Sequence, residues 1–229
     1  TSVALGMGWL GMLAYLLWLV TGNGLFALFS LKAGVWFLLL PIFFTICHRM
    51  IPFFSSRVLD NYQIVRPTGA LGVMLVCSYG HGVLEILGWN AWLWLFDLPL
   101  LVQTLYLSWH WQLRRSFEVR LLAVLHVGFA WLSVALALYA VQSLVLLAGI
   151  GMLGFAPLHA LTIGLFGSMV LGMASRVTLG HSGAELEADS ATWTLFWGFQ
   201  LAALARIGGD LPLAGAAAFS GMAAARRLA

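Results

Sequence analysis

Long apolar segments follow one another along the chain and are separated by short polar connections. Each has close to the 20 or so residues that a helix needs to cross a hydrocarbon core of about 30 Å. Apolar and polar positions do not alternate within them, as they would in the strands of a membrane barrel. The pattern therefore predicts an all-α, polytopic transmembrane helix bundle of about eight spans, at residues 3–21, 31–51, 69–88, 91–111, 121–142, 157–178, 191–207 and 211–227.

Two parts of the pattern leave boundaries open. The segment 143–156 is apolar but interrupted by glycines, so it either extends the fifth span or forms a bent connection buried in protein. The segments 191–207 and 211–227 are short and rich in Ala and Gly. No tandem repeat is visible, and we expect residues 1–229 to form a single membrane domain.

The composition supports a membrane protein. Of 229 residues, 62% are hydrophobic and 8% are charged, whereas soluble domains are about one-quarter charged. The lipid bilayer is thus the expected surroundings, and the net charge of +3 fits an asymmetry between loops better than a nucleic-acid interface. Cys47 and Cys77 fall in or beside spans, so no disulfide scaffold is indicated.

The cationic residues predict an orientation. Nine fall at the connections after even-numbered spans, and only Lys32 and Arg206 fall on the other side. Cytoplasmic loops are enriched in Lys and Arg, so the chain is expected to start on the cytoplasmic side of the membrane. The nine are Arg49, Arg57, Arg66, Arg114, Arg115, Arg120, Arg176, Arg226 and Arg227.

The stretch 157–183 joins both ends of the predicted bundle. His159 lies at its start, and Arg176 and His181 lie near its end. Small residues spaced by three or four positions predict a closely packed central helix. This orientation sorts the histidines into two layers, which suggests two centres: an outer layer of His81 and His159, and an inner layer of His48, His110, His126 and His181.

Several histidines are candidate metal ligands. His126 lies within an apolar span, and Gly128 beside it leaves room for a flat macrocycle; the alternative is a hydrogen bond across helices. His159 follows Pro157, a suitable first-turn residue. His81 precedes Glu85 by one helical turn, so the carboxylate could orient the ring of a ligand, or the two could form a plain buried hydrogen bond.

The remaining candidates have strong structural alternatives. His48 and His110 border the arginine-rich loops, where an interfacial aromatic belt also explains His110. Arg49 and Arg176 could pair with haem propionates, or they could simply set the topology. Met169 and Met173, one turn apart, could hold Cu(I), although such pairs more often fill gaps in a core; the same caution applies to Cys47 beside His48.

No soluble catalytic motif is present: we find no Walker motif, no dinucleotide glycine pattern, no paired CxxC and no Ser/His/Asp arrangement. Three stretches resemble the NnrS family, the haem- and copper-containing membrane proteins of the bacterial nitric-oxide response. They are FTICHRMIPFF (44–54), LHVGFAWL (125–132) and HALTIGLFGSMVLGMASRVTLGHSG (159–183).

This resemblance implies a multi-pass protein of the bacterial inner membrane, with haem and copper as cofactors and nitric oxide or iron-nitrosyl species as partners. It extends from about residue 44 to 183, while the flanks match only in hydropathy. Because the family is drawn with about twelve spans of some 20 residues, and because the chain starts at Thr1 without Met, the chain looks like the C-terminal two-thirds of a longer protein. The matching positions are Arg49, Pro52, His126, His159, Arg176 and His181; Ala184 replaces a frequent basic residue.

Three functions remain open from the sequence. The first is a haem/copper inner-membrane protein that protects from nitrosative stress, with His126 and His159 as leading ligands, further metal ligands among His48, His81 and His181, and Arg49 and Arg176 as propionate partners. The second is a secondary transporter with intramembrane His and Arg on a substrate or proton path. The third is a structural subunit of a respiratory complex. The sequence does not decide whether the protein is an enzyme.

Overall fold

The computed structural model describes residues 2–151, 153–183 and 187–225, with side chains up to residue 211. Within these ranges the chain is helical and has no strand. The all-α bundle predicted from the sequence is therefore confirmed. Its long helices are α1 (Ser2–Thr21), α2 (Gly24–Val58), α3 (Thr68–Ile86), α4 (Trp94–His110), α5 (Arg120–Leu147), α6 (Ala156–Ser182) and α7 (Ser190–Ala225).

The predicted number of about eight spans is wrong. In the described part of the chain, six helices are long and apolar enough to cross a membrane, namely α1 to α6, with the fourth counted from Asn90. The predicted segments 191–207 and 211–227 fall on one continuous helix, α7, except for the last two residues, which lie outside the described ones. Gly208 and Gly209 separate the two segments in the sequence, but neither adopts the positive φ that would end the helix.

Two helices contain a wider turn. Residues Gly34–Leu39 of α2 and Ala160–Gly167 of α6 are π-helical, a form that often occurs next to functional sites.

The structure also answers the open question about the segment 143–156. Helix α5 continues to Leu147, and the chain then turns through Gly149, which has a φ of 69°.

The core is centred on α5. In an apolar window of 18 residues, 72% of the α5 residues are buried, compared with 39% of those in α6. The predicted central stretch 157–183 is therefore not the most buried helix. The small residues of α6 do pack closely as predicted: a Cβ on Gly164 would lie 2.5 Å from the ring of Trp131, and one on Gly172 would lie 2.7 Å from Val124. The two helices therefore approach each other through glycines.

Buried polar contacts fix α7 against this pair. Trp131 Nε1 donates to Gln200 Oε1 at 2.6 Å, and Gln200 Nε2 donates to Ser168 Oγ at 3.0 Å. Arg120 bonds the carbonyl of Ala188 just before α7. We call the end of the bundle formed by residues 59–67, 111–119 and 187–189 the arginine-rich end, and the other the distal end.

Candidate functional site

A buried histidine–aspartate pair joins α3 to α4 near the distal end. His81 and Asp97 both have fully buried side chains, and Nδ1 of His81 lies 2.5 Å from Oδ1 of Asp97. With its proton on Nδ1, the ring donates to the carboxylate, and Nε2 is left with a free lone pair. The structure gives this Nε2 no partner.

Aromatic rings hold the His81 imidazole in place. The indole of Trp36 stacks on it with 3.5 Å between ring centroids and 24° between the planes. Tyr139 of α5 approaches edge-on, at 4.9 Å. The Ser78 hydroxyl donates to the carbonyl of Trp36 at 2.7 Å, which fixes the π-helical turn of α2 against α3.

Glu85 does not orient His81 in the way the sequence suggested. Its Oε2 lies 3.9 Å from Nε2 of His81, too far for a hydrogen bond. Its other oxygen accepts from Lys32 Nζ at 2.6 Å. The orienting carboxylate belongs to Asp97 instead, and Glu85 is paired with a cation from α2.

A cavity of about 280 Å³ opens beside these groups. Its lining includes Lys32, Glu85, Tyr139 and Gln142, and also residues 157–158 in the first turn of α6. Oε2 of Glu85 and Oε1 of Gln142 are buried without a partner. Buried polar atoms without partners are rare in folded proteins and require a reason. We call His81, Asp97, Glu85, Lys32 and Gln142 the distal site.

His159 forms a second pair of the same kind. Its Nδ1 lies 2.5 Å from Oδ2 of Asp210 on α7. The other oxygen of Asp210 lies 3.2 Å from Arg206, one turn earlier. The two histidines of the predicted outer layer thus share one arrangement, an imidazole oriented by a buried carboxylate.

His126 lies in a different environment. It is 2% exposed, and its Nε2 lies 3.1 Å from Oγ of Ser55. Since the Ser55 hydroxyl donates to the carbonyl of Ile51, it accepts from His126. The space expected beside Gly128 is filled, because a Cβ there would lie 2.9 Å from Sδ of Met169. Gly128 allows close helix packing rather than room for a macrocycle.

The remaining histidines lie apart from these pairs. His48 is bonded to the carbonyl of Pro67 at 3.0 Å, and His110 to that of Tyr106 at 2.9 Å. His181 is exposed. Across the described residues, no three His, Cys, Asp or Glu side chains converge in a group that could hold a metal ion.

The two singled-out arginines differ in burial. Arg49 is exposed, whereas Arg176 stacks on Phe54, with 4.0 Å from Cζ to the ring centroid. Nε of Arg176 is buried and has no partner. Cys47 and Cys77 are buried free thiols.

A family model described as "NnrS protein" matches residues 1–228. The chain belongs to the NnrS family. The match covers essentially the whole chain, so the flanks of this NnrS protein match the family model as well. The family prediction is confirmed, but its detail that the chain corresponds to the C-terminal two-thirds of the family is slightly wrong. No curated protein and no solved structure matches the chain in the other comparisons.

Sequence reasoning missed four residues of these sites in the NnrS chain, namely Gln142 and three ionisable residues. Asp97 and Asp210 are acidic residues within or beside apolar segments, and Lys32 is a lone cation in another. An ionisable residue at such a position signals a buried partner or a function. That signal was available, but the pairing of each carboxylate with a histidine 16 or 51 positions away depends on the helix packing.

Proposed function

We propose that this multi-pass membrane protein, associated through its family with the nitric-oxide response, binds haem and copper in the bacterial inner membrane and protects from nitrosative stress. One observation carries the cofactor part of the proposal. His81 presents an unpartnered Nε2 while Asp97 holds its Nδ1. Metal-ligating histidines usually have this second hydrogen bond, which fixes the tautomer and the ring orientation.

The described residues fit these groups unequally. His81 and His159 fit a ligand role, because a carboxylate holds Nδ1 of each ring and Nε2 of His81 has no hydrogen-bond partner. His126 fits less well, since Ser55 takes its Nε2 and Met169 fills the space beside Gly128. Nε of Arg176, buried and unpartnered, fits an anionic group such as a propionate.

When bound, haem iron or copper supplies a redox-active metal to which nitric oxide can bind. The chain's own residues orient the ligands and balance the charge. Asp97 fixes the imidazole of His81, and the Trp36 stack keeps water from its face. Lys32 pairs with Glu85, so that the Glu85 carboxylate does not compete with Asp97 for the imidazole of His81.

The test compares the absorption spectrum and the iron and copper content of the purified protein with those of variants. We expect His81→Ala and His159→Ala each to lower the metal content by at least half or to shift the Soret band, whereas His110→Ala, a matched loss of an imidazole bonded only to its own helix, leaves both unchanged. A well-folded protein that lacks metal and a chromophore would contradict the proposal.

A secondary transporter is the second candidate function, and the cavity at the distal site favours it. Lys32, Glu85 and Gln142 line a space of about 280 Å³, and ionisable residues buried in a helix bundle often mark a substrate or ion path. This function predicts uptake into proteoliposomes that does not depend on metal and is lost in Glu85→Gln. Unchanged uptake in that variant would exclude a path through the cavity.

A further inference from the structure

One strip of α2 at the arginine-rich end combines apolar and cationic side chains. Its residues recur every three or four positions and so share a helix face. Together with one residue of the following connection they line a cavity of about 580 Å³. The lining residues are Thr45, Ile46, Arg49, Met50, Phe53 and Arg66.

Arg66 is held beside this strip by hydrogen bonds on both sides of it. Trp111 Nε1 donates to the carbonyl of Val65 at 3.0 Å. The ring of His48 bonds the carbonyl of Pro67 at 3.0 Å. Since His48 lies on α2 itself, its bond fixes the connection against α2, where Arg66 lines the same cavity as Arg49.

The positive charges of the cavity are not compensated. Among the described residues, neither Arg49 nor Arg66 has a carboxylate within 4.0 Å. Arg57, one turn beyond Phe53 and outside the cavity lining, places a third guanidinium nearby, with its Cζ 5.1 Å from that ring's centroid. The cavity therefore joins a cationic rim to an apolar wall.

The apolar wall distinguishes a lipid from a free anion. Ile46 is 38% exposed and Phe53 is 40% exposed, and both lie on a helix long enough to cross the membrane. Basic pockets between transmembrane helices, close to the membrane surface, bind anionic lipid headgroups. We propose that this cavity binds an anionic phospholipid, with its phosphate between Arg49 and Arg66 and an acyl chain along Ile46, Met50 and Phe53.

Native mass spectrometry of the detergent-purified full chain tests this with phosphatidylglycerol and phosphatidylcholine as probes. We expect preferential retention of phosphatidylglycerol. Arg49→Gln and Arg66→Gln should each weaken it about fivefold, the effect of one cation near a charged lipid surface. Arg66→Lys, which keeps the charge, should retain most of the affinity.

The matched control is Arg114→Gln, which removes one charge at the same end but outside the cavity. We expect it to change retention by less than about twofold, a small effect for a charge away from the lipid. Melting temperatures in the same detergent show whether each variant is folded. An equal loss in Arg114→Gln would overturn the proposal, because general surface charge would then suffice.

Three other results would also overturn it. Equal retention of phosphatidylcholine would show an apolar groove without anion selectivity. Displacement of phosphatidylglycerol by millimolar glycerol phosphate would show a site for a free anion. A Soret shift in Arg66→Gln with unchanged lipid retention would assign the cavity to a haem propionate.

Discussion

Nδ1 of His81 lies 2.5 Å from Oδ1 of Asp97, and neither side chain is accessible to solvent. A buried, hydrogen-bonded pair of this kind is costly to break, because removing one partner leaves the other without compensation. The pair also ties α3 to α4. It therefore serves the packing of the bundle and, under the proposed function, also orients His81 as a metal ligand.

These two roles can be separated with Asp97→Asn. The amide can still bond the ring but carries no charge, so we expect a lower melting temperature and, if His81 ligates metal, about 10- to 100-fold weaker metal binding. A metal titration followed by absorbance measures the second effect. Asp60→Asn, at an exposed position, is the control and should change neither quantity.

Lys32 and Glu85 are expected to stabilise the fold together rather than separately. Their charged atoms lie 2.6 Å apart, with the Glu85 side chain 9% exposed. A double-mutant cycle with Lys32→Met and Glu85→Gln should give a coupling energy of about 0.5–3 kcal/mol. Reversible unfolding in mixed micelles measures it, and strictly additive effects would show that the ion pair contributes nothing.

Gly164 is required for the approach of α5 and α6. A methyl group there would overlap the Trp131 ring, since the distance to it would be 2.5 Å, so Gly164→Ala should destabilise the protein by about 1–3 kcal/mol. Gly198→Ala is the matched control on α7, where a Cβ would meet nothing within 4 Å. It should be neutral or slightly stabilising; equal losses in both variants would argue against this contact.

The stability of the first turn of α7 should depend on pH. The pKa of Asp189 is lowered by hydrogen bonds from the side chain and backbone of Thr192. Since the carboxylate form is favoured in the folded state, its contribution is present above the unfolded pKa of about 3.9 and is lost as the pH falls through the lower folded value. Hydrogen exchange at Thr192 should show lost protection in this range, and Asp189→Asn should remove the dependence.

The sequence predicted the first six long helices because each of them is a continuous apolar segment long enough to cross a membrane. It failed at residues 208–210, the gap between the last two predicted spans, where the helix continues through two glycines. The same limit applies to Gly128, where the absent side chain indicated space and the structure places Met169. A glycine in the sequence shows that a Cβ is missing, but only the packing shows what lies in its place.

The histidines of the candidate site were predicted from the sequence, but their carboxylate partners were not. His81 and His159 stood out as imidazoles in apolar surroundings, and both do have buried carboxylate partners. The neighbour one turn away, Glu85, was the natural choice from helical spacing. The actual partner comes from the next helix, and spacing along one helix carries no information about contacts between helices.

The two histidine–carboxylate pairs lie in two different groups of helices. Lys32, His81 and Asp97 come from α2 to α4, while His159 and Asp210 come from α6 and α7, and the cavity of the distal site is lined from both groups of helices. A change in the angle between the groups would alter the volume of this cavity and leave each pair intact. A ligand that binds this space more tightly at one volume would therefore also favour one angle between the two groups of helices.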